Sequence, residues 1–278
     1  PTALKGKHPM TNIPQITPKQ VTKALVYLRK NMRVMFLSGP PGCAKSSTIE
    51  QGARQIATDN GWTFRHADKG EAIVDPANTF GLIDTRAATA DSSDIKGFGH
   101  LDVENKKTTW LTPDCLPDPE VHGHQGILFL DDFTQALPLV MAGYSQLVLD
   151  RHVGSYRLPD GWQIVIAGNR ASDRSTTNKV GNHLLNRCVH FEMVSSVNDW
   201  SAYELDNGGD RVTVAFVRAR PELMNVFNRG DMAFCSMRSW SGASEVGANV
   251  DDPDFREQLV GGFVGVTPAR ELEAYREL

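Results

Sequence analysis

Short apolar runs alternate with segments of helical periodicity over the first two thirds of the chain. The run at 127–130 has four large apolar residues in succession, as a buried parallel strand requires. Other candidate strands lie at 34–38, 62–66, 80–86, 163–167 and 189–191. Strands separated by helices in this way favour an α/β fold with a parallel sheet.

Three long helices are predicted within this part of the chain. The first follows an extended lead-in at 1–16, because Thr17 and Gln20 can form a capping box around Pro18. A second begins near Lys45 and stops before Asn60 and Gly61. In the third, at 137–148, apolar residues recur at helical spacing and indicate core packing. A shorter helix at 180–186 precedes Arg187.

Two hairpins and a helical C-terminal part complete the prediction. Strand-like arms with polar residues between them indicate hairpins near 100–112 and 153–158. After about residue 195 the strand patterns cease. Helical patterns follow at 198–206, 210–220, 238–249, 253–261 and 268–278. We therefore expect an α/β core over 1–195 and a helical domain over 196–278.

Composition narrows the functional classes. The 278 residues are 40% hydrophobic and 22% charged, which is typical of a globular protein with a sizeable core. The formal net charge of −4 argues against a dedicated nucleic-acid binder. No apolar run reaches the length of a membrane span and no signal peptide opens the sequence. These features, with four widely spaced cysteines, predict a cytoplasmic protein with reduced thiols.

One loop carries possible metal ligands. Cys115, His122 and His124 lie close together in a segment rich in Pro, Gly and acidic residues. Three candidate ligands in a loop-like segment favour a solvated loop over a metal site.

A glycine-rich loop between the first long strand and its helix predicts a phosphate site. Backbone N–H groups of such a loop and the helix dipole bind phosphate. Lys45 would reach the β- and γ-phosphates, and Ser46 would bind Mg²⁺. The predicted nucleotide-binding residues are Gly39, Pro40, Pro41, Gly42, Cys43, Ala44, Lys45, Ser46 and Ser47.

One position departs from the general phosphate-loop pattern. Ala44 stands before Lys45, where the pattern has glycine. We expect Ala44 in the first turn of the helix, where φ is negative and a Cβ is tolerated. The alternative is a Gly/Pro turn followed by an ordinary helix, but strand, loop, lysine and serine occur in the required order.

Polar residues follow two of the predicted strands. Asp131 and Asp132 come directly after 127–130, and Asn169 follows 163–167. Ligands of open α/β sheets bind at the carboxyl ends of the strands. Asp131 would hold Mg²⁺ through water, Asp132 would polarise the attacking water, and Asn169 would reach the γ-phosphate. A buried strand ending in a polar turn is the alternative for the two aspartates.

Together these motifs resemble those of the AAA+ ATPases, and specifically those of the MoxR-like group of the helix-2-insert clade. Alanine before the lysine is usual in that group's phosphate loop. The hairpins match its helix-2 insert and pre-sensor-1 hairpin, and Asn169 matches sensor 1. The segment 184–187 resembles the one that carries the arginine finger, Arg187. The segments 216–223 and 236–240 resemble its lid, where Arg238 matches sensor 2.

The resemblance implies a fold and a function. The fold is an AAA+ P-loop NTPase core with strand order 5-1-4-3-2 and an all-helical lid. The activity is hydrolysis of ATP with Mg²⁺ in a ring, usually a hexamer, where Arg187 enters the neighbour's pocket. MoxR-like proteins act as chaperones on protein clients, often with von Willebrand factor A domains. Asp132 stands where the family has Glu, which predicts slow hydrolysis.

Two other functions are compatible with the same sequence features. The same clade includes nucleic-acid motors and restriction-type NTPases, and the hairpins could engage bases instead of a protein. The short side chain of Asp132 also allows a nucleotide-binding structural subunit with feeble turnover. DNA-stimulated hydrolysis would favour the first of these, and binding without turnover the second.

Overall fold

A parallel sheet of seven strands organises the α/β part of the chain. The computed structural model describes residues 13–67, 73–170, 178–227 and 230–278. The sheet strands are β1 (Gln15–Ile16), β2 (Val34–Ser38), β3 (Thr63–His66), β4 (Thr79–Arg86), β7 (Gln125–Asp131), β10 (Trp162–Gly168) and β11 (Cys188–Met193). Two hairpins contain β5 (Phe98–Asp102) with β6 (Lys107–Leu111), and β8 (His152–Val153) with β9 (Tyr156–Arg157).

The strands lie in the order β1-β11-β2-β10-β7-β4-β3, and all neighbours are parallel. The central five, from β11 to β4, follow the predicted 5-1-4-3-2 order, so the fold prediction is confirmed. The sheet is wider by one strand at each edge. β3 lies outside β4, and β1 adds to β11 from the lead-in that was expected to be only extended.

Over the described residues of this part, six segments are α-helical. They are α1 (Pro18–Arg29), α2 (Lys45–Asp59), α3 (Ser93–Lys96), α4 (Pro119–His122), α5 (Pro138–Asp150) and α6 (Asn182–Leu185). At the start of α1 the Thr17 N–H donates to Gln20 Oε1 at 2.9 Å. α2 ends at Asp59, immediately before the predicted Asn60-Gly61 stop.

The two faces of the sheet form separate hydrophobic clusters. Along β7, Ile127 and Phe129 belong to the cluster that contains Leu25 of α1 and Ile49 of α2. The intervening residues Leu128 and Leu130 belong to the cluster that contains α5. Successive side chains of a strand point to opposite faces, so the apolar run buries residues on both. This two-sided burial explains why the sequence pattern here is continuous, not alternating.

A helical lid follows β11. It contains α7 (Val197–Asp206), α8 (Arg211–Ala219), α9 (Met237–Asn249), α10 (Pro253–Val264) and α11 (Val266–Arg276). Its core surrounds Trp200 and Trp240, whose indole N–H groups donate to Ser241 Oγ at 3.1 Å and Leu223 O at 2.8 Å. After Met193 the only strand-like pairing in the described residues is one bridge between Val226 and Cys235. Within the described ranges, no helix has both the length and the apolar character that crossing a bilayer requires.

Candidate nucleotide-binding site

Two glycines shape the loop between β2 and α2. A Cβ on Gly39 would lie 2.9 Å from Met193 O, so the backbone of β11 excludes a side chain there. Gly42 has a φ of +73°, and a Cβ on it would lie 2.6 Å from Ser236 Oγ of the lid. Glycine takes this left-handed conformation without steric cost. The loop therefore needs glycine at both positions, as the sequence pattern requires.

The expected conformation of Ala44 is wrong. Its φ and ψ are 65° and 34°, in the left-handed region, and it is the N-cap of α2, not a first-turn residue. The chain reverses here to bring the loop onto the helix start, and glycine would do so without strain. A non-glycine residue in this region costs about 1–2 kcal/mol. Thr48 holds the residue in place, because its N–H and Oγ1 donate to Ala44 O at 2.9 and 2.7 Å.

Lys45 lies inside the loop and is only 8% exposed. Its ammonium donates to the carbonyl oxygens of Gly39 at 3.0 Å and Pro40 at 3.2 Å. It also donates to Asn169 Oδ1 at 3.2 Å, at the carboxyl end of β10. The structure thus brings together the phosphate-loop lysine and the polar amide predicted from a strand 124 residues away.

Ser46 and Asp131 lie in direct contact. Ser46 Oγ donates to Asp131 Oδ2 at 2.5 Å, and Asp131 Oδ1 accepts from the Asp132 N–H at 2.8 Å. Asp131 is buried at the end of β7. A hydroxyl and a carboxylate are hard oxygen ligands, the kind that Mg²⁺ binds alongside substrate phosphates. These two residues therefore fit the predicted metal.

Asp132 follows with a φ of 50°, again in the left-handed region. Partial burial, and then the charge of Asp131, raise the pKa of the Asp132 carboxyl above its usual value. The positive charges of Lys45, Arg86 and Arg238 act in the opposite direction. Three cations thus act electrostatically on this carboxyl group, which follows the carboxyl end of β7.

Two residues of this site were missed in the sequence. Arg86 ends β4 opposite Asp131 in the strand register. Thr134 lies 7% exposed in the turn after Asp132, and its Oγ1 accepts from the Asn169 N–H at 3.1 Å. The available signals were an arginine at the carboxyl end of a strand and a hydroxyl two residues beyond a strand-end carboxylate. Neither signal is specific without the strand order.

The lid closes one side of the site. The Arg238 N–H, at the start of α9, donates to Gly42 O at 3.1 Å. Between α1, α2 and the lid lies a crevice of about 980 Å³, whose walls include Ser46, Ser47, Arg86 and Arg238. Arg238 is thus close to the phosphate loop, as sensor 2 would be.

Arg187 lies elsewhere. It directly precedes β11, whose first residue, Cys188, pairs with Val34 at the amino end of β2. The phosphate loop starts at the opposite end of β2, five residues along. Arg187 therefore lies about 15 Å from the phosphate loop. The exposed guanidinium donates to Leu149 O, near the end of α5, at 3.3 Å. The structure does not bring Arg187 to the phosphate loop of its own chain.

Two of the residues considered as metal ligands, Cys115 and His122, make other hydrogen bonds. Cys115 Sγ donates to Asp94 O at 2.9 Å. His122 Nδ1 accepts from the Asp118 N–H at 3.0 Å. Over the described parts of the chain, no three His, Cys, Asp or Glu side chains group as a metal site would require.

Comparison with known proteins gives remote structural likeness only. No family model and no curated protein matches the chain. A putative ATPase from Cytophaga hutchinsonii is 12% identical with a TM-score of 0.41, over 65% of this chain and 47% of that one. NtrX from Brucella abortus is 14% identical with a TM-score of 0.42, over 94% and 51%. A RuvB mutant from Thermotoga maritima is 10% identical with a TM-score of 0.39, over 92% and 68%.

The chain thus spans about half the length of the first two of these structures. Likeness at this level carries no functional argument, and the class of fold follows from the chain itself. The strand order, the loop between β2 and α2, and the helices that follow β11 define an α/β fold of the P-loop type with a helical lid.

Proposed function

We propose that this chain binds ATP with Mg²⁺ and hydrolyses it. The observation that carries the proposal is the convergence of the loop with two strand ends. Ser46 contacts Asp131 at 2.5 Å, and Lys45 contacts Asn169 at 3.2 Å. Carboxylate, hydroxyl, ammonium and amide groups at one glycine loop are the groups that phosphoryl transfer needs for positioning and electrostatic stabilisation.

Each residue has a role that its chemistry allows. Loop N–H groups and the Lys45 ammonium would bind phosphate oxygens. Ser46 and Asp131 would hold Mg²⁺, which when bound neutralises phosphate charge. Asp132 would orient a water molecule and accept its proton, and Asn169 would fix that water's other side. Arg238 would add a positive charge from the lid.

We further propose that the active form is a ring, hexameric by resemblance. Arg187 supports this, because it is exposed and lies at the end of β11 remote from its own loop. An arginine that completes a neighbour's site stabilises the charge that develops on the γ-phosphoryl group.

The structure favours a protein over a nucleic acid as the macromolecular substrate. The β5–β6 hairpin exposes Phe98 by 67%, Leu101 by 72% and Val103, in its turn, by 80%. Exposed apolar side chains grouped on one element mark contacts with proteins. We therefore favour a MoxR-like remodelling chaperone, with a von Willebrand factor A domain protein as the partner class, over a nucleic-acid motor.

Asp132 supports a slow enzyme. Its side chain is one methylene shorter than the glutamate of the resembled family, so the carboxylate reaches less far toward the attacking water. A base that is less well placed lowers the rate of water activation more than it lowers nucleotide affinity. If hydrolysis were lost altogether while ATP binding remained, the chain would be a nucleotide-binding structural subunit.

Steady-state phosphate release tests these proposals. We expect Mg-ATP hydrolysis by the wild-type chain that is stimulated by a von Willebrand factor A domain protein and not by single- or double-stranded DNA. Stimulation by DNA alone would establish the motor. ATP binding in calorimetry without any turnover would establish the structural subunit. Absence of ATP binding would remove the proposal altogether.

A further inference from the structure

A threonine joins the two strand ends that carry Asp132 and Asn169. Thr134 belongs to the short 3-10 turn Phe133–Gln135 that directly follows Asp132. Its Oγ1 accepts from the Asn169 N–H at 3.1 Å and donates to the Asn169 carbonyl at 3.4 Å. Both bonds involve the backbone of Asn169, so they fix the main chain from which the amide side chain projects toward Lys45.

The turn that Thr134 holds is strained. Asp132 has a φ of 50°, in the left-handed region that residues other than glycine adopt uncommonly, although aspartate does so more often than most. Such a conformation persists only where surrounding contacts over-determine it. The Asp132 N–H bonds to Asp131 Oδ1 at 2.8 Å, and the Gln135 N–H bonds to Asp132 O at 2.9 Å. Both contacts are internal to the turn, whereas the Thr134 hydroxyl bonds tie it to β10.

A third contact anchors the same turn from another segment. The Asn178 N–H donates to Thr134 O at 2.6 Å, and Asn178 Nδ2 donates to Ala136 O at 2.8 Å. Asn178 precedes α6, which in turn precedes Arg187. The main chain at Thr134 is therefore bound on one side by β10 and on the other by the segment that leads to the exposed arginine.

The side chain of Thr134 lies against Gly168. A Cβ added at Gly168 would lie 2.6 Å from Thr134 Cγ2 and 2.9 Å from its Oγ1. The absence of a side chain at Gly168 therefore leaves the space that the threonine side chain occupies.

We propose that Thr134 is a positioning residue for hydrolysis. Its described hydrogen bonds all go to protein groups, and it acts by holding the Asp132 turn and the Asn169 backbone in one fixed relation. The inference rests on the proposed ATPase function. A small displacement of a catalytic group costs up to about a hundredfold in rate, so the hydroxyl should affect turnover more than affinity.

Thr134→Val and Thr134→Ser form the matched pair that tests this role. Valine keeps the shape and removes the hydroxyl, whereas serine keeps the hydroxyl and removes the methyl group. We expect Thr134→Val to lower kcat by about tenfold to a hundredfold, with KM and the calorimetric Kd for ATP changed by less than about threefold. Thr134→Ser should keep most of the wild-type kcat. Equal kcat for valine and wild type, or equal losses in both variants, would overturn the proposal.

Amide hydrogen exchange provides a second readout that needs no turnover. In the nucleotide-free protein, Thr134→Val should accelerate exchange at the Asn169 amide, because its acceptor is lost, while protection in the α1 helix and in the lid stays at the wild-type level. Thr134→Ser should preserve protection at Asn169. Unchanged protection in Thr134→Val would contradict the role of Thr134 even if the chain hydrolyses ATP. Absence of Lys45-dependent turnover in the wild type would instead contradict the proposed function. The exchange result would still decide whether Thr134 holds the Asn169 backbone.

Discussion

Ser46 Oγ and Asp131 Oδ2 lie 2.5 Å apart although 85 residues separate them in the chain. The contact exists because β2 and β7 both border β10, so their carboxyl ends open onto the same edge of the sheet. It joins the helix start after the phosphate loop to the strand end that carries the acidic pair.

Nucleotide binding should depend on Lys45. Its ammonium lies inside the loop, 3.0 Å from Gly39 O and 3.2 Å from Pro40 O. Hydrogen bonds to charged groups contribute about 1.5–3 kcal/mol, so Lys45→Ala should weaken ATP binding about tenfold or more in calorimetry. Lys30→Ala, at an exposed lysine after α1, is the control and should bind normally. Wild-type affinity in Lys45→Ala would refute the phosphate site.

The two neighbouring aspartates should separate in function. Asp131→Ala should reduce Mg²⁺-dependent nucleotide binding, because it removes the carboxylate that contacts Ser46. Asp132→Asn should keep binding and lose turnover, because an amide does not accept a proton from water as a carboxylate does. Calorimetry with and without Mg²⁺, together with phosphate release, measures both effects. Undiminished hydrolysis by Asp132→Asn would mean that another group is the base.

Lengthening the acidic side chain gives a separate test of slow turnover. Asp132→Glu restores the residue that the resembled family has at this position. We expect kcat to rise with ATP affinity unchanged. A fall in kcat would show that the left-handed turn is adapted to aspartate.

Arg187 should act on a neighbouring subunit. Arginine fingers contribute on the order of 10³–10⁵ in rate, so Arg187→Ala should bind ATP normally and hydrolyse it poorly. Arg157→Ala, at an exposed arginine of the second hairpin, is the control. A mixture of Arg187→Ala with Asp132→Asn should recover activity, since one supplies intact pockets and the other intact fingers. A mixture that stays inactive, although its subunits exchange and form rings, would exclude the shared site.

The raised pKa of Asp132 predicts a pH-dependent stability difference. Its carboxyl titrates above its usual 3.8 in the folded chain, so folding favours the neutral form. The stability that this group contributes is complete below the unfolded value and is lost as the pH rises through the folded one. Asp132→Asn should therefore be more stable than the nucleotide-free wild type at neutral pH. Its advantage should shrink toward pH 4, as urea unfolding at several pH values would reveal. Asp231→Asn, at an exposed residue, should show little change at any pH.

A charge network should stabilise the lid. Arg256 Nη2 and Glu273 Oε2 are 2.7 Å apart, and their side chains are only 13% and 12% exposed. Glu273→Gln should cost about 1–3 kcal/mol, since it weakens the charge-assisted hydrogen bonds from Arg256 and removes the ion pair with Arg276 in a partly desolvated place. Glu257→Gln breaks the exposed pair with Arg270 and should change stability by less than about 0.5 kcal/mol. Equal unfolding midpoints for the two variants would show that burial adds nothing here.

Periodicity predicted most of the fold because the deciding signals are local. The apolar runs gave the strands of the central sheet, and the lid helices at 198–206 and 238–249 lie close to α7 and α9. β1 has only two residues, too few to show any periodicity, and its pairing with β11 depends on the finished sheet. Its hydrogen bonds could not be read from the sequence.

Residues of the candidate site can be named from the sequence where a motif fixes their place, and cannot be named where tertiary register decides. Lys45, Ser46 and Asp131 stand at fixed places in their motifs. Arg86 comes to the site only because β4 pairs with β7, and Thr134 only because its turn faces β10. The left-handed conformation of Ala44 was missed for a related reason. The path of the loop into α2 sets the backbone conformation of Ala44, whereas alanine as a residue type disfavours the left-handed region.

Two hydrogen bonds donated by backbone N–H groups join the lid to parts of the core that lie well apart in the sequence. The Arg238 N–H bonds to Gly42 O at 3.1 Å, and the Lys19 N–H bonds to Asp199 Oδ2 at 2.9 Å. Ala44 also packs against the hydrophobic core of the lid. Since Gly42 and Ala44 belong to the phosphate loop, a change in the loop that accompanies nucleotide binding would reach the start of α9 directly.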